Sequence, residues 1–207
     1  MAASNESPGA GGVCTVPDAH TTDTAAPPPT IIVLASGRGE RFIASGGSGS
    51  KLQARIGDRT VLECTLQAVR ASGLPWHLED AGHPGMGDSI GAAVRSTPDA
   101  NGWLILPGDL PLIQADSLRA IAAALRTHDA VMPRHLGQRG HPVGFGRRFR
   151  AALMALTGAQ GAAQLLRGQP VHELELDDRG CVTDIDTLAE LDAARRLLAA
   201  TLPPARG

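Results

Sequence analysis

Two stretches of this chain, Ile31-Ile32-Val33-Leu34-Ala35 and Trp103-Leu104-Ile105-Leu106, are apolar at every position. They lack the alternation of a strand with one wet face, so both faces must be covered. That requirement leads to a sheet sandwiched between helices, and the intervening sequence supplies them. Residues 60–71 place Leu62, Leu66 and Val69 on one helical face before Gly73-Leu74-Pro75 stops the run. A second helix is expected to open near Asp88 or Ser89, either of which can cap it. Further helices are expected over 115–126, 148–156, 160–167 and 188–199, and strands at 76–79, 130–132, 142–145, 171–176 and 182–185. Strands alternating with helices predict an α/β protein of three layers around a mostly parallel sheet.

A length of 207 residues suits one domain with a real core. Residues 1–29 are rich in Ala, Gly, Pro, Thr and Ser, end in Pro27-Pro28-Pro29, and carry little that offsets chain-ordering entropy. They are expected to form a disordered leader before a folded domain over 30–202 and a short tail over 203–207. With 19 basic against 21 acidic residues, no basic field points to nucleic acid or to a membrane surface. Two Trp, three Phe and no Tyr leave few platforms for stacking on single strands. Cys14, Cys64 and Cys181 are too scattered for a zinc site, and their odd number suits a reducing compartment. No apolar run is long enough to span a bilayer and no signal peptide is evident. A cytoplasmic protein is expected.

The first apolar run empties into Ser36-Gly37-Arg38-Gly39-Glu40-Arg41. Glycines let backbone N–H groups come close to an anion, and guanidinium groups add charge-assisted bonds to phosphate oxygens. The dinucleotide fingerprint fails because Phe42 stands where its third glycine belongs, and Gly49-Ser50-Lys51-Leu52 does not match a P-loop. A phosphate-binding turn of another kind remains, beside the plainer alternative of a tight turn with solvated arginines.

The second run ends in Pro107-Gly108-Asp109-Leu110-Pro111. A carboxylate at the C-terminal end of a parallel strand faces the crevice where ligands bind, and it suits Mg²⁺. Asp184 and Asp186, one residue apart, should share a side, and Asp186 is equally readable as a metal ligand or as the cap of the last helix. Pro84-Gly85-Met86-Gly87-Asp88-Ser89 opens a helix whose exposed N–H groups suit a phosphate or a base edge. Arg139-Gly140-His141-Pro142-Val143 puts a histidine and an arginine at a strand entrance, where an ordinary loop role is the plainer reading.

In order, these segments resemble the nucleotidyltransferases related to molybdenum cofactor cytidylyltransferase and, more broadly, the cofactor guanylyltransferases. The matching pieces are Leu34-Ala35-Ser36-Gly37 with Arg41 and a later Lys51, Gly85-Met86-Gly87-Asp88-Ser89, Gly108-Asp109-Leu110-Pro111, Gly140-His141-Pro142-Val143 and Asp184-Ile185-Asp186-Thr187. The resemblance implies a Rossmann-like nucleotidyltransferase fold and attack by an acceptor phosphate on the α-phosphorus of a nucleoside triphosphate. It implies Asp109 and Asp186 as ligands of Mg²⁺, and Arg41, Lys51 and Asp109 as the catalytic set. Leu34, Ala35, Ser36, Gly37, Arg38 and Gly39 would hold the nucleotide with Gly85, Met86, Gly87 and Ser89, while His141 would face the acceptor. CTP and a molybdopterin-type acceptor are the implied substrates, and a molybdoenzyme or its maturation chaperone is the implied partner.

Two departures from the family pattern stand out. A Gly/Ser-rich insertion over 43–50 separates Arg41 from Lys51, and the stretch before Gly85 has room for only one strand, which makes a narrower sheet an expectation. The alternatives are GTP or a sugar phosphate as substrate on the same fold, or a binding protein without turnover.

Overall fold

The computed structural model describes residues 27–37 and 39–201. The tail and all but the last three residues of the expected leader lie outside the described residues. Strand β1 (Thr30–Leu34) turns into a short helix α1 (Glu40–Ala44), and the inserted segment leads to a 3₁₀ turn at Lys51–Gln53. A small hairpin follows, β2 (Arg55–Ile56) and β3 (Arg59–Thr60), which the sequence patterns did not reveal. Helix α2 (Val61–Ser72) starts in a capping box, with Thr60 and Glu63 satisfying each other's N–H groups, and stops at Gly73 in the left-handed region. Then come β4 (Trp76–Glu79), α3 (Met86–Ser96), β5 (Gly102–Pro107) and α4 (Ala115–Ala124). The remainder is β6 (Ala130–His135), β7 (Gln138–Arg139), β8 (Val143–Gly146), α5 (Arg150–Met154), β9 (His172–Glu175) and α6 (Leu188–Thr201).

Seven of these strands form one sheet in the order β4-β1-β5-β8-β6-β7, with β9 on the other side of β6. Pairings β4–β1, β1–β5 and β6–β9 are parallel, while β8 runs against both β5 and β6. The single strand expected before Gly85 is β4, at the sheet's edge.

Burial follows the apolar runs. Ile32, Trp103 and Ile105 point to one face and pack with Ile90 of α3 and Leu153 of α5. Ile31, Val33, Leu104 and Leu106 point to the other and pack with Leu66 of α2 and Leu118 of α4. Each such side chain contributes roughly 1.5–3 kcal/mol, which is why a strand without a polar side is stable only in the middle layer. A third cluster, Phe42, Leu52, Ile56, Val61, Ile185 and Leu191, lies off the sheet and joins α1, the hairpin and α6.

Three expectations need correction. Residues 182–185 are not a strand. The buried Asp178 carboxylate accepts from the backbone N–H groups of Gly180 (2.7 Å) and Gln114 (3.0 Å) and from Ser117 Oγ (2.6 Å), drawing the chain into a 3₁₀ turn at Arg179–Val182. The second helix begins at Met86, after an N-cap at Gly85, and neither Asp88 nor Ser89 caps it. The helix expected over 148–156 shortens to α5 behind a 3₁₀ turn at Arg147–Phe149, and the one expected over 160–167 is a 3₁₀ helix at Ala162–Leu166 instead of an α-helix.

Candidate active site

The C-terminal ends of β1 and β5 open into a cleft of about 510 Å³. Backbone bonds set Asp109 at its floor: Gly108 N–H donates to Leu34 O (2.9 Å), and Ile185 N–H donates to Asp109 O (3.0 Å). Thr65 Oγ1 of α2 adds a buried bond to Gly108 O at 3.0 Å. A β-carbon at position 108 would lie 3.0 Å from Leu34 O, so glycine lets the two strand ends approach.

Lys51 meets Asp109 there. Its Nζ lies 2.6 Å from Asp109 Oδ2 and 2.7 Å from Asp186 Oδ1, and the residue is only 8% exposed. The inserted segment does not carry it away, because both ends of the insertion are fastened. Ser45 Oγ donates to Phe42 O (2.8 Å) and accepts from Leu188 N–H (3.0 Å), while Phe42 and Leu52 are buried in the third core cluster. Burial alone would lower the Lys51 pKa, but Asp109 and Asp186 outweigh it and hold the ammonium above the ordinary lysine value.

Asp186 is fixed by the start of α6. Its backbone N–H donates to Glu190 Oε2 (2.8 Å), and Thr187 Oγ1 accepts from Glu190 N–H (3.3 Å). Thr187 therefore serves the helix end, leaving the Asp186 carboxylate to Lys51 and to Arg41, whose NH2 lies 2.6 Å from Oδ2. Ile185 is fully buried, whereas Asp184 and Asp186 both line the cleft, so the shared side expected of them survives the loss of the strand. Partial desolvation, reinforced by the Asp109 and Asp186 carboxylates, raises the Asp184 pKa.

The other expected residues divide. Leu34, Ser36, Gly37, Gly85, Met86, Ser89 and His141 line the cleft. Ser36 and Ser89 share a hydroxyl–hydroxyl bond of 2.9 Å across it. Ala35 packs against the third core cluster, and Gly39 sits at φ 63° at the start of α1 beside the Lys51 stem. Gly87 is buried against the loop at 157–160, and Arg38 lies outside the described residues. Arg139 is held by Glu173 at 2.8 Å instead of facing the cleft. His83 and Asp184 also line the wall. The Asp184–Asp186 alternation was a signal for one of these; His83, in a loop of mixed polarity, gave none.

Two buried polar atoms face this cluster without a partner among the described residues, Asp109 Oδ1 and His141 Nδ1. Burial lowers the His141 pKa against the pull of Asp109 and Asp184, so its imidazole is neutral near pH 7. No group of three or more His, Cys, Asp or Glu among the described residues forms a ready-made metal cage. The donor set still fits a hard divalent cation, which takes one or two carboxylates and completes its shell with phosphate oxygens and water. The orphaned Asp109 oxygen is the observation that favours this fit. Among the described residues, no helix is long and apolar enough to cross a membrane.

Several solved structures share this architecture. Rv0371c from Mycobacterium tuberculosis H37Rv, in a complex with manganese, superposes with a TM-score of 0.65 at 23% identity, covering 83% of this chain and 99% of its own. A nucleotidyl transferase from Methanothermobacter thermautotroptrophicus gives 0.69 at 18% identity, covering 84% and 99%. The molybdopterin-guanine dinucleotide biosynthesis protein A from Archaeoglobus fulgidus gives 0.61 at 17%, covering 83% and 100%. These likenesses bear on the fold, and no curated protein sequence matches the chain. The model of the MobA-like NTP transferase domain matches residues 65–179, more than half of the sequence. The chain belongs to that family and is a nucleotidyltransferase of the MobA-like type.

Proposed function

We propose that residues 30–202 form a Mg²⁺-dependent domain that transfers CMP from CTP to a molybdopterin-type acceptor. The acceptor phosphate oxygen bonds to the α-phosphorus, the bond from that phosphorus to the bridging oxygen breaks, and pyrophosphate leaves. The observation that carries this reading is the convergence of Arg41, Lys51, Asp109 and Asp186 where β1 and β5 end.

The transition state concentrates negative charge, so the residues act mainly by placing and neutralising it. Arg41 and Lys51 supply cations for the triphosphate, and the open backbone at Gly37 gives it room. Ser36, Gly85, Met86 and Ser89 form the wall proposed for base and ribose. Mg²⁺ held by Asp109 and Asp186 would draw charge from the α-phosphate and the departing pyrophosphate. Neutral His141 offers a ring nitrogen on the acceptor side without adding a charge. The proposed cytoplasmic handover of the labile product to a molybdoenzyme, or to its maturation chaperone, rests on the family resemblance.

CTP is favoured only through the resemblance of the Gly85-Met86-Gly87-Asp88-Ser89 and Gly140-His141-Pro142-Val143 segments to the cytidylyl branch of the family. GTP is the competing donor because a fold neighbour bears a molybdopterin-guanine name. The binding-protein alternative loses one of its two motives, since Lys51 reaches the site despite the insertion, and keeps the shortened stretch before Gly85. The test supplies CTP, GTP, ATP and UTP separately with Mg²⁺ and molybdenum-loaded pterin and measures pyrophosphate. Fastest release from CTP is expected. Fastest release from GTP would reassign the donor, and no release from any of the four would overturn the transferase reading for this acceptor.

A further inference from the structure

Lys51 is the only lysine in the sequence, one residue among 19 Lys and Arg. A guanidinium is a broad planar fork, whereas an ammonium is a compact point charge that fits between two converging carboxylates. Surface pairs elsewhere use the fork, as where Arg139 Nε and NH2 both donate to Glu173 Oε1. Only in the cleft does the chain use the point charge, and there it touches Asp109 and Asp186 together.

We propose, resting on the reading of the cleft as a transferase site, that Lys51 is a resident counter-cation: it holds the carboxylates meant for the divalent metal and excludes the metal until a triphosphate draws its ammonium away. One oxygen of each carboxylate, Asp109 Oδ2 and Asp186 Oδ1, is taken by Nζ. Asp186 Oδ2 is taken by Arg41, which leaves Asp109 Oδ1 as the one oxygen of this pair without a partner among the described residues. A single carboxylate oxygen beside an ammonium is a poor site for a dication, because like charges at contact repel strongly away from bulk water. The metal gains both carboxylates only if Nζ withdraws.

The fold gives the ammonium somewhere to go. The Lys51 stem runs beside the phosphate turn, with Cγ 3.6 Å from where a β-carbon on Gly39 would stand, and no described residue comes within 4 Å of a β-carbon at position 37. A triphosphate on that turn puts new anionic oxygens beside the same flexible stem. The backbone need not follow, since Leu52 is anchored in the third core cluster. Metal and nucleotide then bind with positive coupling, each tightening the other by the same factor.

The test compares Mn²⁺ binding, followed calorimetrically without nucleotide, between the wild-type chain and Lys51→Met, which keeps an unbranched stem and removes the charge. The variant should bind Mn²⁺ alone at least about tenfold more tightly, while CTP affinity measured with metal falls. Equal or weaker Mn²⁺ binding by a folded variant overturns the proposal. Should the variant fail to fold, the wild-type protein labelled with ¹⁵N at lysine gives a single side-chain signal. That signal should hold still with 1 mM Mg²⁺ alone and move when Mg²⁺ and CTP are added together. Movement with Mg²⁺ alone, or none with both when calorimetry shows both bound, overturns the proposal. Failure of every nucleotide to bind would instead remove the transferase reading, leaving the comparison of metal binding intact.

Discussion

The two glycine segments of the cleft look alike in sequence and differ in physical duty. At Gly37 an added β-carbon would meet nothing within 4 Å among the described residues. At Gly85 it would lie 2.1 Å from Gly158 O, and at Gly87 2.7 Å from Thr157 O. The first glycine keeps space beside charged side chains. The second pair removes space, so that α3 can lie against the loop at 157–160, where Gly87 N–H donates to Gly158 O (2.9 Å) and Gly158 N–H donates to Asp88 Oδ2 (2.9 Å). A glycine-rich string is therefore no marker of a phosphate by itself. The atoms that a side chain would strike decide between an opening for a ligand and a joint between elements.

The largest effect should come from the charged side of that contrast. Asp109→Asn keeps the shape and removes a carboxylate, so kcat is expected to fall at least about 1,000-fold with the thermal unfolding midpoint little changed. Pyrophosphate release gives the rate; near-wild-type turnover would remove Asp109 from the reacting centre. Next comes the packed side. Gly85→Ala drives a methyl group into a backbone carbonyl and should cost about 2–3 kcal/mol of stability by denaturant unfolding, since neither segment can yield alone. Unchanged stability would mean that the joint is loose. Gly37→Ala should leave stability within about 0.5 kcal/mol and raise the CTP KM about tenfold. An unchanged KM would move the triphosphate off this turn.

The parts of the molecule visible in the sequence were those set by local pattern. The buried strands at 31–35 and 103–106 followed from their lack of polar positions, and α2 from its periodicity and the Gly73-Leu74-Pro75 stop after it. What stayed hidden depended on distant partners. The turn at Arg179–Val182 is made by Asp178 reaching Gln114 and Ser117, 64 and 61 residues away. The place of Lys51 was obscure because the eight inserted residues at 43–50 have little local preference. Their course is fixed by Phe42 beneath and α6 beside them. For the same reason, no local signal separated Gly37 from Gly85.

The smallest expected effect concerns His141, which faces the charged corner yet is withdrawn from water. Its folded-state pKa is lowered from 6.5, chiefly by burial, so the folded protein binds fewer protons there than the unfolded chain. Such a group contributes stability that is present above its unfolded pKa and is lost as pH falls through its folded value. Asp184 acts in the opposite sense. Its folded pKa is raised from 3.8, so its contribution is full below 3.8 and fades as pH rises through its folded value. His141→Gln removes only the first effect. Unfolding midpoints of the metal-free protein between pH 7 and pH 5 should therefore fall less steeply for the variant than for the wild type. Parallel profiles would show that the imidazole is already solvated, with the cleft more open on its acceptor side than the orphaned Nδ1 implies.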